Sequence, residues 1–391
     1  EMQRSLVGSE MCIRDRKHRT RYSLYKGMKK DIGLYIHIPF CDSKCPYCDF
    51  YSFRCKDDEK EQYVGLLCDE IKSKSGQINC KVNTLYIGGG TPSCIGFERL
   101  CKIIECVKSN FSLTDGAEIT VECNPHSVSY EFFKNIASVG VNRVSLGLQS
   151  ANDNERKRLG RISGKKEVED AANFARKAGI ENISLDVMLG IPESTVDSLK
   201  STLDFCIGQS VPHISCYILK IEENTPFYKM QNTLSLPDDD TVADMYLYMC
   251  EYLEKHGYNQ YEISNFSKQG FESRHNLKYW NCEEYLGIGS SAHSFIDGKR
   301  FYCEKRTDKF VCVPDGEGGD FSEYAMLKLR LKQGITEAET KSRFSHPIPE
   351  KMRREAEFLQ KNGLVISDSE GIRLTRNGFL LSNTVISRLI Y

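Results

Sequence analysis

Cys41, Cys45 and Cys48 stand in the stretch GLYIHIPFCDSKCPYCDFYSF, a C-x-x-x-C-x-x-C array with Tyr47 directly before its last thiol. Three thiolates offered by one loop can wrap a single iron–sulfur cluster, and three protein ligands leave one iron of a four-iron cluster open to an exogenous ligand. Zinc is the alternative. A structural zinc site, however, wants four ligands, usually as two pairs far apart in the chain. No second pair accompanies this triple, although Cys55 follows seven residues after Cys48. Pro39 and Pro46 shape a loop and not a buried face, which disfavours a group of ordinary core cysteines.

Two further groups carry chemistry. Gly88, Gly89, Gly90, Thr91 and Pro92 follow an apolar run ending at Ile87, so bare backbone can come close to a ligand there. Glu122 in EITVECNP, Gln149 in VSLGLQS and Asp186 in ISLDVML fall at or near the ends of later apolar runs. In parallel α/β barrels the C-terminal ends of the strands face the active site. Each of these residues alone can be a helix cap or a surface group. Together they outline a polar pocket on the face that carries the cysteine loop.

Periodicity gives the elements that must position them. Strands are predicted at 33–38, 84–87, 117–122, 143–148, 183–188 and 213–219, with helices at 60–74, 96–108, 129–139, 166–178 and 195–207 between them. Strands separated one from the next by helices specify parallel pairing through crossovers. Six units fall short of the eight in a closed barrel, so the α/β fold expected over residues 28–230 is an open, partial (β/α)6 barrel. An extension is expected over 231–313, with a helix at 240–256, a strand at 258–265, the HNLKYW stretch from His275 to Trp280 on a loop, and a loop around Gly287 and Gly289. The PDGEGG stretch from Pro314 to Gly319 reads as a linker. Residues 320–391 read as helix, short helix, helix and a hairpin at 364–374 turning at Asp368 to Gly371, an order that predicts a small winged-helix-like α+β module.

At 391 residues, 40% hydrophobic and 27% charged, the chain has the composition of a globular protein of two or three domains. A net charge of -1 exerts no overall pull on polyanions. Lys351, Arg353 and Arg354 alternate with Glu350, Glu355 and Glu357, as on a solvated helix face, so nucleic acid is not an expected partner. No secretory h-region opens the chain, and no apolar run reaches the roughly 18 residues of a membrane span. The 17 cysteines are therefore expected to be reduced and cytoplasmic, with Cys68, Cys101, Cys106, Cys206 and Cys250 serving as small apolar residues. Residues 1–27 lack sustained periodicity and SLVGSEMCIRDR resembles a translated sequencing adapter, so the natural protein is expected to begin at Met28.

The cysteine array with Tyr47 inside it resembles the signature of the radical S-adenosylmethionine (SAM) superfamily. LYIHIPFC, LYIGGGTPS, ITVECNP, NRVSLGLQS and YEISNF are similar to its coproporphyrinogen-oxidase-like branch, from about Asp31 to the C-terminus. The resemblance implies a [4Fe–4S] cluster on Cys41, Cys45 and Cys48, with SAM bound through its amino and carboxylate groups to the open iron. It implies that Tyr35, Tyr47, Gly89, Gly90, Thr91, Glu122, Gln149, Arg161 and Asp186 line the SAM pocket. These residue types suit such a ligand, since glycine backbone can approach the methionine end, carboxylates can bond its ammonium or the ribose hydroxyls, and Arg161 can meet a carboxylate. Ile162 and Ser163, after Arg161, depart from related sequences, which often place His there.

Two activities share this branch. Oxygen-independent coproporphyrinogen III dehydrogenases carry a further cysteine two residues beyond the triple, where this chain has Asp49 and Phe50. The CDF triplet and the HNLKYW stretch, His275 to Trp280, resemble instead the haem chaperones of the branch, in which an H-N-x-x-Y-W pattern goes with haem handling. The resemblance thus implies haem as cargo, haem-receiving respiratory proteins as partners, a homodimer as a further assembly, and at most peripheral membrane contact. His275 can offer a neutral imidazole to iron, and Tyr279 and Trp280 a flat apolar surface to a porphyrin. Porphyrinogen oxidation by the adenosyl radical is the alternative.

Overall fold

The computed structural model of the chain describes residues 31–391, and the leader expected at 1–27 lies outside them. Six strands, β1 (Ile32–Ile38), β2 (Val82–Gly89), β3 (Leu113–Cys123), β4 (Arg143–Gln149), β5 (Asn182–Leu189) and β6 (His213–Ile218), lie side by side in chain order, each parallel to the next. The crossover helices are α1 (Asp57–Ser75), α2 (Phe97–Asn110), α3 (Tyr130–Ser138), α4 (Lys165–Lys177) and α5 (Val196–Gly208). β1 and β6 do not pair with each other, so the barrel stays open.

Alternation within the strands explains both faces of this sheet. Successive strand residues point to opposite sides. Leu34, Ile36 and Ile38, Leu85 and Ile87, Ile119 and Val121, Val144 and Leu146, and Leu185 and Val187 all join one large apolar core. The intervening set is polar: Tyr35 and His37, Thr84 and Tyr86, Glu118 and Glu122, Arg143 and Ser145, Ser184 and Asp186, His213 and Ser215. Side-chain bonds tie that set together, as from Ser184 to His213 at 2.7 Å and from Ser145 to Asp186 at 2.9 Å. The core therefore lies between sheet and helices, and the concave face is polar.

The sheet is wider than periodicity predicts. Twelve strands run in the order β12-β11-β10-β9-β1-β2-β3-β4-β5-β6-β8-β7. The expected loop around Gly287 and Gly289 holds β9 (Tyr285–Ile288), parallel to β1, and β10 (His293–Ile296) turns back against it. Gly287 marks a close crossing there and not a turn, since a Cβ on it would sit 2.2 Å from the His293 carbonyl oxygen. The expected linker is mostly β12 (Cys312–Glu317), antiparallel to β11 (Lys299–Cys303). Pro314 is tolerated because β12 is an edge strand. The single strand expected at 258–265 is two short ones, β7 (Asn259–Gln260) and β8 (Asn265–Ser267), paired antiparallel beside β6 after helix α6 (Asp239–Lys255).

HNLKYW is a helix, α7 (Arg274–Trp280), where a loop was expected. Ser273 caps it, and the Glu118 carboxylate accepts from the backbone N–H groups of Arg274 and His275 at 3.0 and 2.9 Å. These contacts use the orphan donors of the first turn and put negative charge at the helix N-terminus. The C-terminal module runs α8 (Phe321–Lys328), β13 (Ile335–Thr336), α9 (Glu337–Phe344), α10 (Glu350–Lys361), β14 (Val365–Ser367) and β15 (Gly371–Leu374), with β15 between the other two strands. Two helices not expected from the sequence, α11 (Arg376–Leu380) and α12 (Ser382–Ile390), follow and lie against the body of the protein.

Candidate functional site

The cysteine loop is a closed excursion pinned at its neck. Phe40 and Phe53 bridge in parallel, Cys41 N–H donates to Phe53 O at 3.0 Å, and Phe53 N–H donates to Pro39 O at 3.0 Å. The glycine segment docks onto that neck through Gly90 N–H to Ile38 O (2.8 Å) and Thr91 N–H to Phe40 O (2.7 Å). A Cβ on Gly90 would meet Phe40 O at 2.5 Å, and Gly89 has φ of 118° against the His37 ring, so side chains are excluded at both positions. On the far side, Phe227 N–H donates to Pro46 O at 3.0 Å while Tyr47 packs on the Phe227 ring, beside the small apolar cluster of Leu159, Met188 and Ile191.

All three thiols line one cavity of about 570 Å³ that runs from this loop down the concave face of the barrel. Thr91 Oγ1 lies 3.3 Å from Cys41 Sγ, and Arg161 donates to Cys45 Sγ at 3.7 Å and to Gly147 O at 3.0 Å. Burial pushes the Cys41 thiol up, and pushes Cys48 up to about 11. Thiols held so dry ionise when metal binds them, because the metal supplies the compensating charge. Among the described residues no three His, Cys, Asp or Glu side chains converge on a single ion. Cysteines that each hold a different iron of a cube need no such convergence.

Beneath the loop the strand-end residues lie close to one another. Glu122 accepts from Tyr86 O–H at 2.8 Å and Gly89 N–H at 3.1 Å; its carboxyl is raised by burial, against the lowering effect of those bonds. Asp186 accepts from Ser145 and is raised to about 6, burial again being the main cause. Gln149, next to a register shift in β4, has φ of 67°, a left-handed conformation uncommon outside glycine and concentrated at functional sites. Tyr47, Gly89, Gly90, Thr91, Glu122, Gln149, Arg161 and Asp186 all line the cavity. Tyr35 does not: it lies one layer back, its hydroxyl 3.0 Å from His37 Nδ1 and its ring stacked on Tyr86.

The lower cavity contains residues that the motifs do not flag. Arg143, Glu262, Asn265, Asn276, Trp280 and Arg330 line it, and Phe379 and Asn383 from the C-terminal helices close it. Arg143 is 1% exposed and its Nε is buried without a hydrogen-bond partner, while the Glu118 and Asp186 carboxylates favour its charge. The Trp280 Nε1 is buried without a hydrogen-bond partner as well. Buried polar atoms left open are rare, and the residues that carry them line a space large enough for a ligand. The signal for them was period two: Arg143, Ser145, Gly147 and Gln149 alternate along β4.

The structure separates the members of HNLKYW. Trp280 and Asn276 reach the cavity; His275 and Tyr279 do not. His275 is 0% exposed, with Nδ1 2.8 Å from Thr84 Oγ1 and Nε2 2.8 Å from the Tyr279 hydroxyl. Burial first, then the Lys278 and Arg143 cations, lowers its pKa to about 3. It is thus a neutral imidazole with both nitrogens engaged, and in this conformation neither is offered to a haem iron. The helix lies across the start of the strands; a Cβ on Gly33 would meet both His275 and Lys278.

Comparison with known proteins fits this geometry. Residues 35–206 match the Radical SAM superfamily and residues 321–381 the HemN C-terminal domain. The haem chaperone HemW of Lactococcus lactis is 34% identical over 378 residues, 93% of this chain and 98% of its own. The chain belongs to the HemW family. HemW of Bacillus subtilis is 33% identical over 376 residues, and that of Escherichia coli 38% identical over 276 residues, 68% of this chain. Coproporphyrinogen III oxidase (HemN) from Escherichia coli superposes with a TM-score of 0.80 at 20% identity, covering 93% of this chain and 90% of its own, which establishes the shared fold.

Radical SAM proteins bind a [4Fe–4S] cluster and SAM, and the site fits both. Cys41, Cys45 and Cys48 would hold the cluster, with Arg161 offsetting its negative charge. Glu122, Gln149 and Asp186 would hold SAM against the glycine backbone. When bound and reduced, the pair can supply an adenosyl radical; the chain's own part is to position the ligand and keep water out.

Proposed function

We propose that the chain is a haem chaperone, binding haem and handing it to haem-dependent respiratory proteins, with cluster and SAM modulating the transfer. The observation that carries this reading is near-full-length similarity to proteins named haem chaperone HemW, at 34% and 33% identity, against 20% to the coproporphyrinogen oxidase that shares the fold. Asp49 and Phe50, where the dehydrogenases of the branch have a further cysteine, support it. So does the cavity lining, where Ile162 is 69% and Ile218 40% exposed. Exposed apolar side chains lining a site suit a flat apolar cargo. In this reading the barrel, 28–230, carries the cofactors, while the 231–313 extension and the 320–391 module close its floor. We place the protein in the cytoplasm; among the described residues no helix is long and apolar enough to cross a membrane.

The deciding experiment offers anaerobically reconstituted protein haem and, separately, coproporphyrinogen III with SAM and a reductant. Stable haem uptake without protoporphyrinogen formation is expected. Steady turnover of the porphyrinogen would overturn the chaperone in favour of the dehydrogenase.

A further inference from the structure

We propose that Cys303 and Cys312 form a reversible redox-active dithiol at the sheet edge, with Cys312 as the attacking thiol and Cys303 as the thiol that resolves it. They end β11 and begin β12 and are direct register partners. Glu304 N–H donates to Val311 O in the adjacent pair, which makes Cys303 and Cys312 a non-hydrogen-bonded pair, the kind in which facing side chains approach most closely. Their sulfurs are 3.8 Å apart. Closing that gap to the roughly 2.05 Å of a disulfide needs only side-chain rotation, because such pairs already sit within disulfide reach.

The two thiols have different surroundings. Cys303 is 2% exposed, whereas Cys312 is exposed. Lys74, in the last turn of α1, places Nζ 3.6 Å from Cys312 Sγ. A hydrogen bond from Cys303 and this ammonium bring the Cys312 thiol down to about 6, while the shared bond and burial push Cys303 up. An accessible thiolate beside a cation, backed by a protonated partner thiol, is the arrangement that reacts with oxidants.

With a low-molecular-weight disulfide as oxidant, the Cys312 thiolate attacks one sulfur, forming a mixed disulfide and expelling one thiolate. Cys303 then gives up its proton and attacks Cys312 Sγ, expelling the second. Two protein thiols are oxidised to one disulfide and the reagent is reduced to two thiols. The bond would lock the base of the 304–311 loop, whose Phe310 ring packs edge-on at 5.5 Å against Tyr63, the residue that bonds His37 O behind the cysteine loop.

The test treats the full-length, cluster-loaded protein with oxidised glutathione under argon, followed by alkylation and peptide mass spectrometry. A Cys303–Cys312 cross-link that dithiothreitol reverses is expected. Cys303→Ser should instead hold one glutathione on Cys312, and Lys74→Met should slow Cys312 alkylation at pH 6 by roughly tenfold, with the difference vanishing by about pH 9. Both thiols remaining free while other cysteines react, or a wild-type chain that stops at glutathione on Cys312, would overturn the proposal. The alkylation rate keeps it testable where a variant misfolds, because it is first measured on the wild-type chain as a pH profile, in which a midpoint above about 8 refutes the activated thiol.

Discussion

Replacing His275 separates a structural histidine from a haem ligand. Consider His275→Phe, which keeps a ring of similar size and removes both nitrogens. The Thr84 and Tyr279 hydroxyls, each 2.8 Å from the imidazole, lose their shared partner in a fully buried place. An orphaned buried group costs about 1–3 kcal/mol, so loss of the Thr84 bond alone should make the variant less stable by about that amount at pH 7. That is a large share of the roughly 5–15 kcal/mol of an ordinary domain.

The loss should depend on pH in a defined direction. The folded chain keeps His275 neutral down to about 3, whereas the unfolded chain takes up a proton below about 6.5. The lowered pKa therefore removes stability from the wild type as pH falls from about 6.5 toward 3, by up to about 1.4 kcal/mol per unit. His275→Phe has no such proton uptake. His213, also buried and lowered, and the raised Asp186 and Glu262 are present in both chains and cancel. The gap between wild type and variant should thus shrink by about 2 kcal/mol between pH 7 and pH 5. Urea denaturation at both pH values measures it, and haem titration of each folded chain completes the test. A variant as stable as the wild type that nevertheless loses haem would refute the structural role and make His275 a ligand.

Three further outcomes follow from the site. Anaerobic reconstitution should give a brown protein with about four irons per chain, and Cys45→Ser should abolish it; a colourless protein keeping one zinc contradicts the cluster. SAM binding to the reconstituted protein should strengthen from pH 5 to pH 7 as Asp186, raised to about 6, ionises, and Asp186→Asn should flatten that profile in calorimetric titrations. Arg143→Met should lower the urea midpoint of the ligand-free chain, because it removes a buried cation that the Glu118 and Asp186 carboxylates hold charged; an unchanged or raised midpoint would show that Arg143 waits for a ligand and does not support the fold.

What the sequence disclosed depended on how far each signal reached along the chain. The six βα units were legible because period-two strands and period-3.6 helices repeat within a few residues of one another. Cys41, Cys45 and Cys48 were legible because their ligand spacing is local. The outer strands were not: β9 to β12 are short, β9 and β12 carry glycine or proline that ordinarily mark turns, and β9 is fixed by pairing with β1, some 250 residues away, with β10 to β12 added to it as an antiparallel meander. HNLKYW is seven residues at most with its flank, too short to show helical period, and its N-terminal partner Glu118 lies on β3. Such a helix is specified by tertiary contact.

The same distinction bears on what HNLKYW is for. His275 holds Thr84 on β2 and Tyr279 on its own helix, Glu118 holds the helix start, and Lys278 donates to Asp31 O at 3.0 Å. These contacts fasten a helix across the start of the strands, with Trp280 and Asn276 turned toward the cavity and the Arg330 guanidinium 5.7 Å from the Trp280 ring. A motif that couples a buried histidine to a cavity-facing tryptophan can affect haem binding without touching iron, by setting the floor on which the ligand of the barrel rests. Haem binding that survives His275→Phe but fails in Trp280→Ala, with the cluster spectrum unchanged in both, would assign the motif that role.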